Sequence, residues 1–134
     1  MMTDDEILAL HDVIAPSRPV RRRAPDAPMS VVMGRIADTV ARLFHLGTRN
    51  VLLSARRDKQ TALARQLAMY VCREVTRASF PAIGQFFGRD HSTVVHACRI
   101  VTARMAARPE LAAKVEDLVR NLRQLMGLFW EAAA

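Results

Sequence analysis

From residue 30 onward, apolar side chains return every three or four positions, so the chain reads as a series of amphipathic helices. Ser30 is placed to cap the first, whose face of Val32, Met33, Ile36, Val40, Leu43 and Phe44 ends at Gly47, expected as its left-handed stop. Thr48 then caps a single turn holding Val51, Leu52 and Leu53. A polar, basic connector over 54–60 leads to a longer helix over 61–76. Its inward stripe is Leu63, Leu67, Tyr70, Val71 and Val75, with Arg65, Gln66, Arg73 and Arg77 off that stripe. Ser79 and Pro81 open a short helix anchored by Ile83, Phe86 and Phe87 and stopped by Gly88. The next spans 90–107, with Val94, Val95, Cys98, Val101 and Thr102 facing a core, until Arg108 and Pro109 break it. A last helix over 110–131 lines up Leu111, Val115, Leu118, Val119, Leu122, Leu125, Phe129 and Trp130. No segment alternates with the period of a strand, so the expected fold is all-α.

The first 29 residues differ in kind. Thr3 and Glu6 form a capping box ahead of Ile7, Leu10 and Ile14, enough for a helix too short to stand alone in water. Residues 15–29 then carry Pro16, Pro19, Pro25 and Pro28 among Arg18, Arg21, Arg22 and Arg23, with no apolar period. This is a basic, semi-extended linker, either a solvated tether or an arm for DNA phosphates. The expected division is therefore 1–29 as short helix and linker, 30–125 as the folded domain, and 126–134 as an apolar extension including Met126, Leu128, Phe129 and Trp130.

Composition adds a charge to this helical frame. A chain of 134 residues holds one compact domain with tails. Twenty Lys and Arg against thirteen Asp and Glu give a net charge of +7 and an isoelectric point near 10.9, a field that favours anionic partners. Lys59 and Lys114 are the only lysines, so almost all of that charge sits on guanidinium groups, which suit bidentate phosphate and guanine contacts. No apolar run is long enough to span a bilayer and the first residues are acidic, so a cytoplasmic, nucleoid-associated location is expected. Cys72 and Cys98 each lie in a helical apolar pattern and are expected as buried thiols.

The candidate chemistry lies where the short helix meets the next one. A helix stopped by Gly88, followed at once by a helix opening with polar Asp90, His91, Ser92 and Thr93, is the build of a helix-turn-helix. In that arrangement the first turn of the second helix reaches base edges in the major groove, and its later turns anchor it in the protein. Asp90 and His91 could form an acid–base pair, but catalysis needs a nucleophile, an orienting third group and a pocket together, and the flanking residues offer a helix start instead. His91, His96 and Cys98 could be metal ligands, yet positions 91 and 96 lie about 140° apart around a helix and 91 and 98 nearly two turns apart. No enzyme activity, cofactor or metal is therefore expected.

The run Gly88-Arg89-Asp90-His91-Ser92-Thr93-Val94-Val95-His96-Ala97-Cys98-Arg99 resembles the signature of the C-terminal DNA-binding domain, domain IV, of the bacterial replication initiator DnaA. Three further blocks resemble the same family in order and spacing: Leu52-Leu53-Ser54-Ala55-Arg56-Arg57, Ala64-Arg65-Gln66-Leu67-Ala68-Met69-Tyr70 and Phe80-Pro81-Ala82-Ile83-Gly84. The resemblance covers residues 36–124 and implies a helix-turn-helix of the Trp-repressor-like class that binds a DnaA-box-like site in double-stranded DNA. It implies base reading by Asp90, His91, Ser92 and Thr93 in the major groove and by Arg57 in the minor groove, where negative potential attracts arginine. It implies DNA-backbone contacts by Arg56, Arg65, Gln66, Arg73, Ser79, Arg89 and His96.

Three departures qualify what the resemblance implies. The family's two glycines before Arg-Asp-His are one here, Gly88, so the turn is a residue shorter and Arg89 is expected to be re-aimed. Ser92 stands where threonine is commoner, keeping the hydroxyl and dropping a methyl that could touch thymine. The five glycines include no Gly-x-x-x-x-Gly-Lys-Ser/Thr spacing, so a stand-alone relative without the ATPase module is expected, regulating initiation or transcription. The alternative is an adaptor that contacts a replication protein through residues 4–14 or 126–130.

Overall fold

A computed structural model describes residues 29–133, with side chains described as far as Gly127. Of the short helix and linker read over 1–29, only Met29 is described, and it opens the first helix; the side chains of Leu128, Phe129 and Trp130 also lie outside the described residues. Six helices follow one another: α1 (Met29–Leu43), α2 (Arg49–Leu53), α3 (Lys59–Thr76), α4 (Phe80–Phe87), α5 (His91–Ala107) and α6 (Pro109–Ala133). Among the described residues there is no strand. α3 is the hub and touches each of the other five helices, while α5 packs chiefly on α3 and α4.

The core explains this arrangement. Small residues on α3, namely Ala64, Ala68 and Cys72, let α1 and α5 approach closely, and Ile36, Val40, Leu52, Met69, Ile83, Phe87 and Val94 fill the space between them. Leu63 and Leu67, expected to point inward, are only half-buried, because the buried stripe of α3 runs instead through Thr61, Ala64, Arg65, Ala68, Met69 and Cys72. On α6 the buried line is Val115, Val119, Leu122 and Met126. Met126 therefore packs in the core, and Leu125 is left 56% exposed. Arg123 ties α6 to α3 by donating from Nη2 to the backbone carbonyl of Glu74 at 2.8 Å. Burial pushes the Glu74 carboxyl above its ordinary range, with Arg123 opposing.

Helix ends follow local chemistry. Ser30 lies inside α1 rather than capping it. The left-handed residue that stops α1 is His45, at φ 58°, and the Leu46 amide reaches back to the Ala41 carbonyl at 2.8 Å. Gly47, expected in that role, lies two residues further on, in the approach to α2. Thr48 caps α2 by accepting from the Asn50 amide. Asp58, within the expected connector, caps α3 by accepting from the Thr61 amide, so that helix starts at Lys59. Cys72 and Cys98 are buried and unbridged, with burial pushing the Cys98 thiol up to about 12. Such thiols are inert core residues.

Candidate nucleic-acid interface

The helix-turn-helix is α4, its turn and α5. Ser79 Oγ accepts from the Ala82 amide at 3.1 Å and Pro81 takes the first turn of α4. At the far end Gly88 adopts φ 68° and ψ 34°, a left-handed stop open to glycine at little cost. The Arg89 amide then bonds the Gly84 carbonyl at 2.8 Å. Backbone meets backbone here: a Cβ on Gly84 would stand 2.5 Å from the Arg89 carbonyl oxygen. The turn is thus complete with a single glycine, and it delivers Asp90 at the head of α5.

Asp90 is the N-cap residue of α5 by position, but its carboxylate makes no capping bond. The amides of Thr93 and Val94 reach the Asp90 backbone carbonyl instead. Asp90, His91, Ser92 and Thr93 are all exposed, and so is His96 one turn on, while Val94, Ala97, Cys98 and Val101 are buried on the opposite side. Among the described residues, none of these five exposed side chains has a hydrogen-bond or ion-pair partner. Donors and acceptors are therefore presented at the head of a helix without internal bonds to break before they meet a ligand.

A second element lies beside them. The connector between α2 and α3, residues 54–58, carries Arg56 and Arg57, both exposed. Arg56 is occupied, its Nε donating to Asp58 Oδ1 at 3.0 Å. Arg57 has no partner among the described residues, so its guanidinium projects from the connector uncommitted. The Thr61 amide and hydroxyl, then Arg56, hold the Asp58 carboxyl below its usual range. One acidic side chain thus caps α3 and restrains Arg56 while leaving Arg57 alone.

Two arginines expected at the DNA backbone are turned the other way. Arg65 is 8% exposed. Its Nε donates to the Leu52 carbonyl at 2.6 Å and its Nη2 to the carbonyls of Ser54 at 3.1 Å and Arg56 at 3.0 Å. Burial, and then the nearby charge of Arg89, lower its pKa from the ordinary arginine value. Arg89 bridges the Phe87 carbonyl, from Nη1 at 2.8 Å, and the Ser54 carbonyl, from Nη2 at 2.8 Å. The physical reason is the same for both: the irregular connector and the helix ends around it expose carbonyls that no backbone amide reaches, and guanidinium groups supply the missing donors. Arg73 is half-buried, with Nη1 on the Ala78 carbonyl at 2.9 Å and its guanidinium carbon 4.3 Å from the Phe80 ring centroid. Gln66 is half-buried on α3.

The exposed residues come from two parts of the chain, Arg57 on the connector and Asp90, His91, Ser92, Thr93 and His96 on α5, and the two segments are joined where Arg89 donates to the Ser54 carbonyl. What sequence reasoning missed is the fastening between them, in which Ser54 supplies one carbonyl to both Arg65 and Arg89. The available signal was Arg65 sitting among Thr61, Ala64, Ala68 and Cys72 at helical spacing, an arginine on a stripe of small residues.

Comparison with known proteins agrees with this geometry. Residues 33–101 match the family described as bacterial dnaA protein helix-turn-helix. The chain is 40% identical over 93 residues to the chromosomal replication initiator protein DnaA of Geobacter sp. (strain M21), covering 69% of this chain and 20% of that protein. It is 38% identical over 117 residues to the same-named protein of Deinococcus deserti, covering 87% and 23%. With that of Mycobacteroides abscessus it is 38% identical over 105 residues, covering 78% and 21%. The chain spans about a fifth of the length of these curated relatives.

Proposed function

From a chain that belongs to the bacterial DnaA helix-turn-helix family, we propose sequence-specific binding to a DnaA-box-like site in double-stranded DNA. The reading rests chiefly on one observation: exposed, uncommitted Asp90, His91, Ser92 and Thr93 at the head of α5 stand beside a connector that projects an uncommitted Arg57. A carboxylate can accept from cytosine N4, imidazole can donate or accept, and the methyl of Thr93 can touch a thymine methyl. Arg57 is the minor-groove reader, and Arg56, Gln66, Arg73, Ser79 and His96 border the DNA backbone. The role is regulation of replication initiation or of transcription in the nucleoid, without ATP hydrolysis. The matched domain is the DNA-binding one rather than an ATPase. Among the described residues no helix is long and apolar enough to cross a membrane.

Titrating a duplex carrying one DnaA box against a scrambled duplex, each at two salt concentrations, tests the proposal. The box is expected to bind more tightly than the scrambled duplex, and His91→Ala to cost about 1–3 kcal/mol on the box and little on the other. Equal affinity for both duplexes would remove the claim of specificity, because a steep salt slope alone reports only phosphate binding. No observation favours the adaptor alternative: Met126 is in the core, and residues 4–14 and the side chains of 128–130 lie outside those described.

A further inference from the structure

We infer that Arg89 and Arg65 are positioning residues, which fix Arg57 against the head of α5 through the carbonyl of Ser54. The inference rests on the proposed reading of DNA and assigns these two side chains a task other than holding phosphate. The connector has no regular structure of its own between Leu53 and Lys59, and its local bonds, the Arg56 amide to Ser54 Oγ at 3.3 Å and Arg56 Nε to Asp58 Oδ1 at 3.0 Å, leave the Arg57 side chain itself unbonded. Its carbonyls at Ser54 and Arg56, with Leu52 at the end of α2, are held from below by the buried fork of Arg65. Arg89, on the turn that starts α5, crosses 35 residues of sequence to bind the same Ser54 oxygen. Its other terminal nitrogen holds Phe87, the last residue of α4.

One carbonyl is thereby clamped between the helix that carries the connector and the turn that aims the recognition helix. A base reader in each groove must keep a fixed separation to reach both at once, and this clamp joins the two bearing segments. The fork geometry is what an ammonium lacks, since it keeps the charge but offers one nitrogen where Arg89 uses two, Nη1 on Phe87 and Nη2 on Ser54.

Charge-retaining substitution separates positioning from phosphate contact. Wild-type protein, Arg89→Lys, Arg89→Gln, Arg57→Ala and Arg57→Ala with Arg89→Lys are titrated with the DnaA-box duplex and its scramble over a range of salt. Arg89→Lys is expected to lose about tenfold on the box while keeping wild-type affinity for the scramble and a wild-type salt slope. Once Arg57 is alanine, the same change is expected to cost almost nothing, because its effect passes through Arg57. Arg89→Gln serves the same comparison if the lysine variant melts below the assay temperature. The inference is overturned if Arg89→Lys binds the box as wild type does, or if its loss adds fully to that of Arg57→Ala. It is equally overturned if Arg89→Gln weakens both duplexes alike and lowers the salt slope by about 0.9, the signature of one lost phosphate contact. A wild-type protein that fails to tell the two duplexes apart overturns the functional reading itself, and the inference falls with it.

Discussion

The head of α5 and the connector over 54–58 present the same kind of residue, exposed and without partners, yet the two are built by opposite means. Around α5 the construction is local: Gly88 turns the chain, the Arg89 amide finds Gly84 five residues back, and the amides of Thr93 and Val94 close on Asp90. The connector is held mainly from outside. Arg65 reaches it across 11 and 9 residues, and the end of α2 across 13, while Arg89 reaches it across 35, each spending guanidinium donors on carbonyls that no helix or sheet satisfies. A recognition helix can therefore be inherited as a short motif, whereas an arm beside it depends on residues elsewhere in the domain.

Removing the external hold is the most severe way to break this contrast. Arg65→Ala strips three charge-assisted bonds from carbonyls at an interior edge and is expected to cost about 2–4 kcal/mol, measured as a shift in urea midpoint with unchanged slope. If stability stayed put while affinity for every DNA sequence and the salt slope both fell, Arg65 would be a phosphate contact and the connector would be self-supporting. Gly84→Ala attacks the other side. Its Cβ would stand 2.5 Å from the Arg89 carbonyl, so the turn must open, at about 1–3 kcal/mol. Its thermal melt is expected to fall together with box affinity. A variant of normal stability and normal affinity would show that the close approach of α4 to the turn is not what aims α5.

The same contrast decides what could be read from the chain beforehand. Ser79, Pro81 and Gly88 mark the ends of α4 through rules that act within a few residues, and the structure has them as expected. The all-helical class and the buried face of Val94, Cys98 and Val101 follow from periodicity. Arg65 lies on the buried side of α3, against the apolar pattern, because Leu63 and Leu67 outweigh Ala64 and Ala68 in such a pattern whereas close helix packing prefers the alanines. His45 took the left-handed stop from Gly47 because the Leu46 amide can reach Ala41 only if the chain turns there. The bond of Arg89 to Ser54 was not legible, since nothing in sequence links position 89 to a carbonyl at 54.

Asp58 gives the smallest and most selective probe of the connector, because its charge and its capping can be separated. Asparagine caps a helix about as well as aspartate, so Asp58→Asn keeps the bond from the Thr61 amide and loses the ion pair with Arg56. The carboxyl is held below its usual range in the folded protein, so the unfolded state binds its proton first as pH falls. The stabilisation from its charge is therefore complete above the unfolded aspartate range and disappears as pH drops through the folded value. Wild type is expected to melt slightly above Asp58→Asn at neutral pH, with the gap closing in acid and narrowing in salt, since the pair is exposed. A gap that persisted unchanged into strong acid would mean that asparagine had disturbed the cap itself. The local bond to Thr61, rather than the charge shared with Arg56, would then be what Asp58 contributes to the connector.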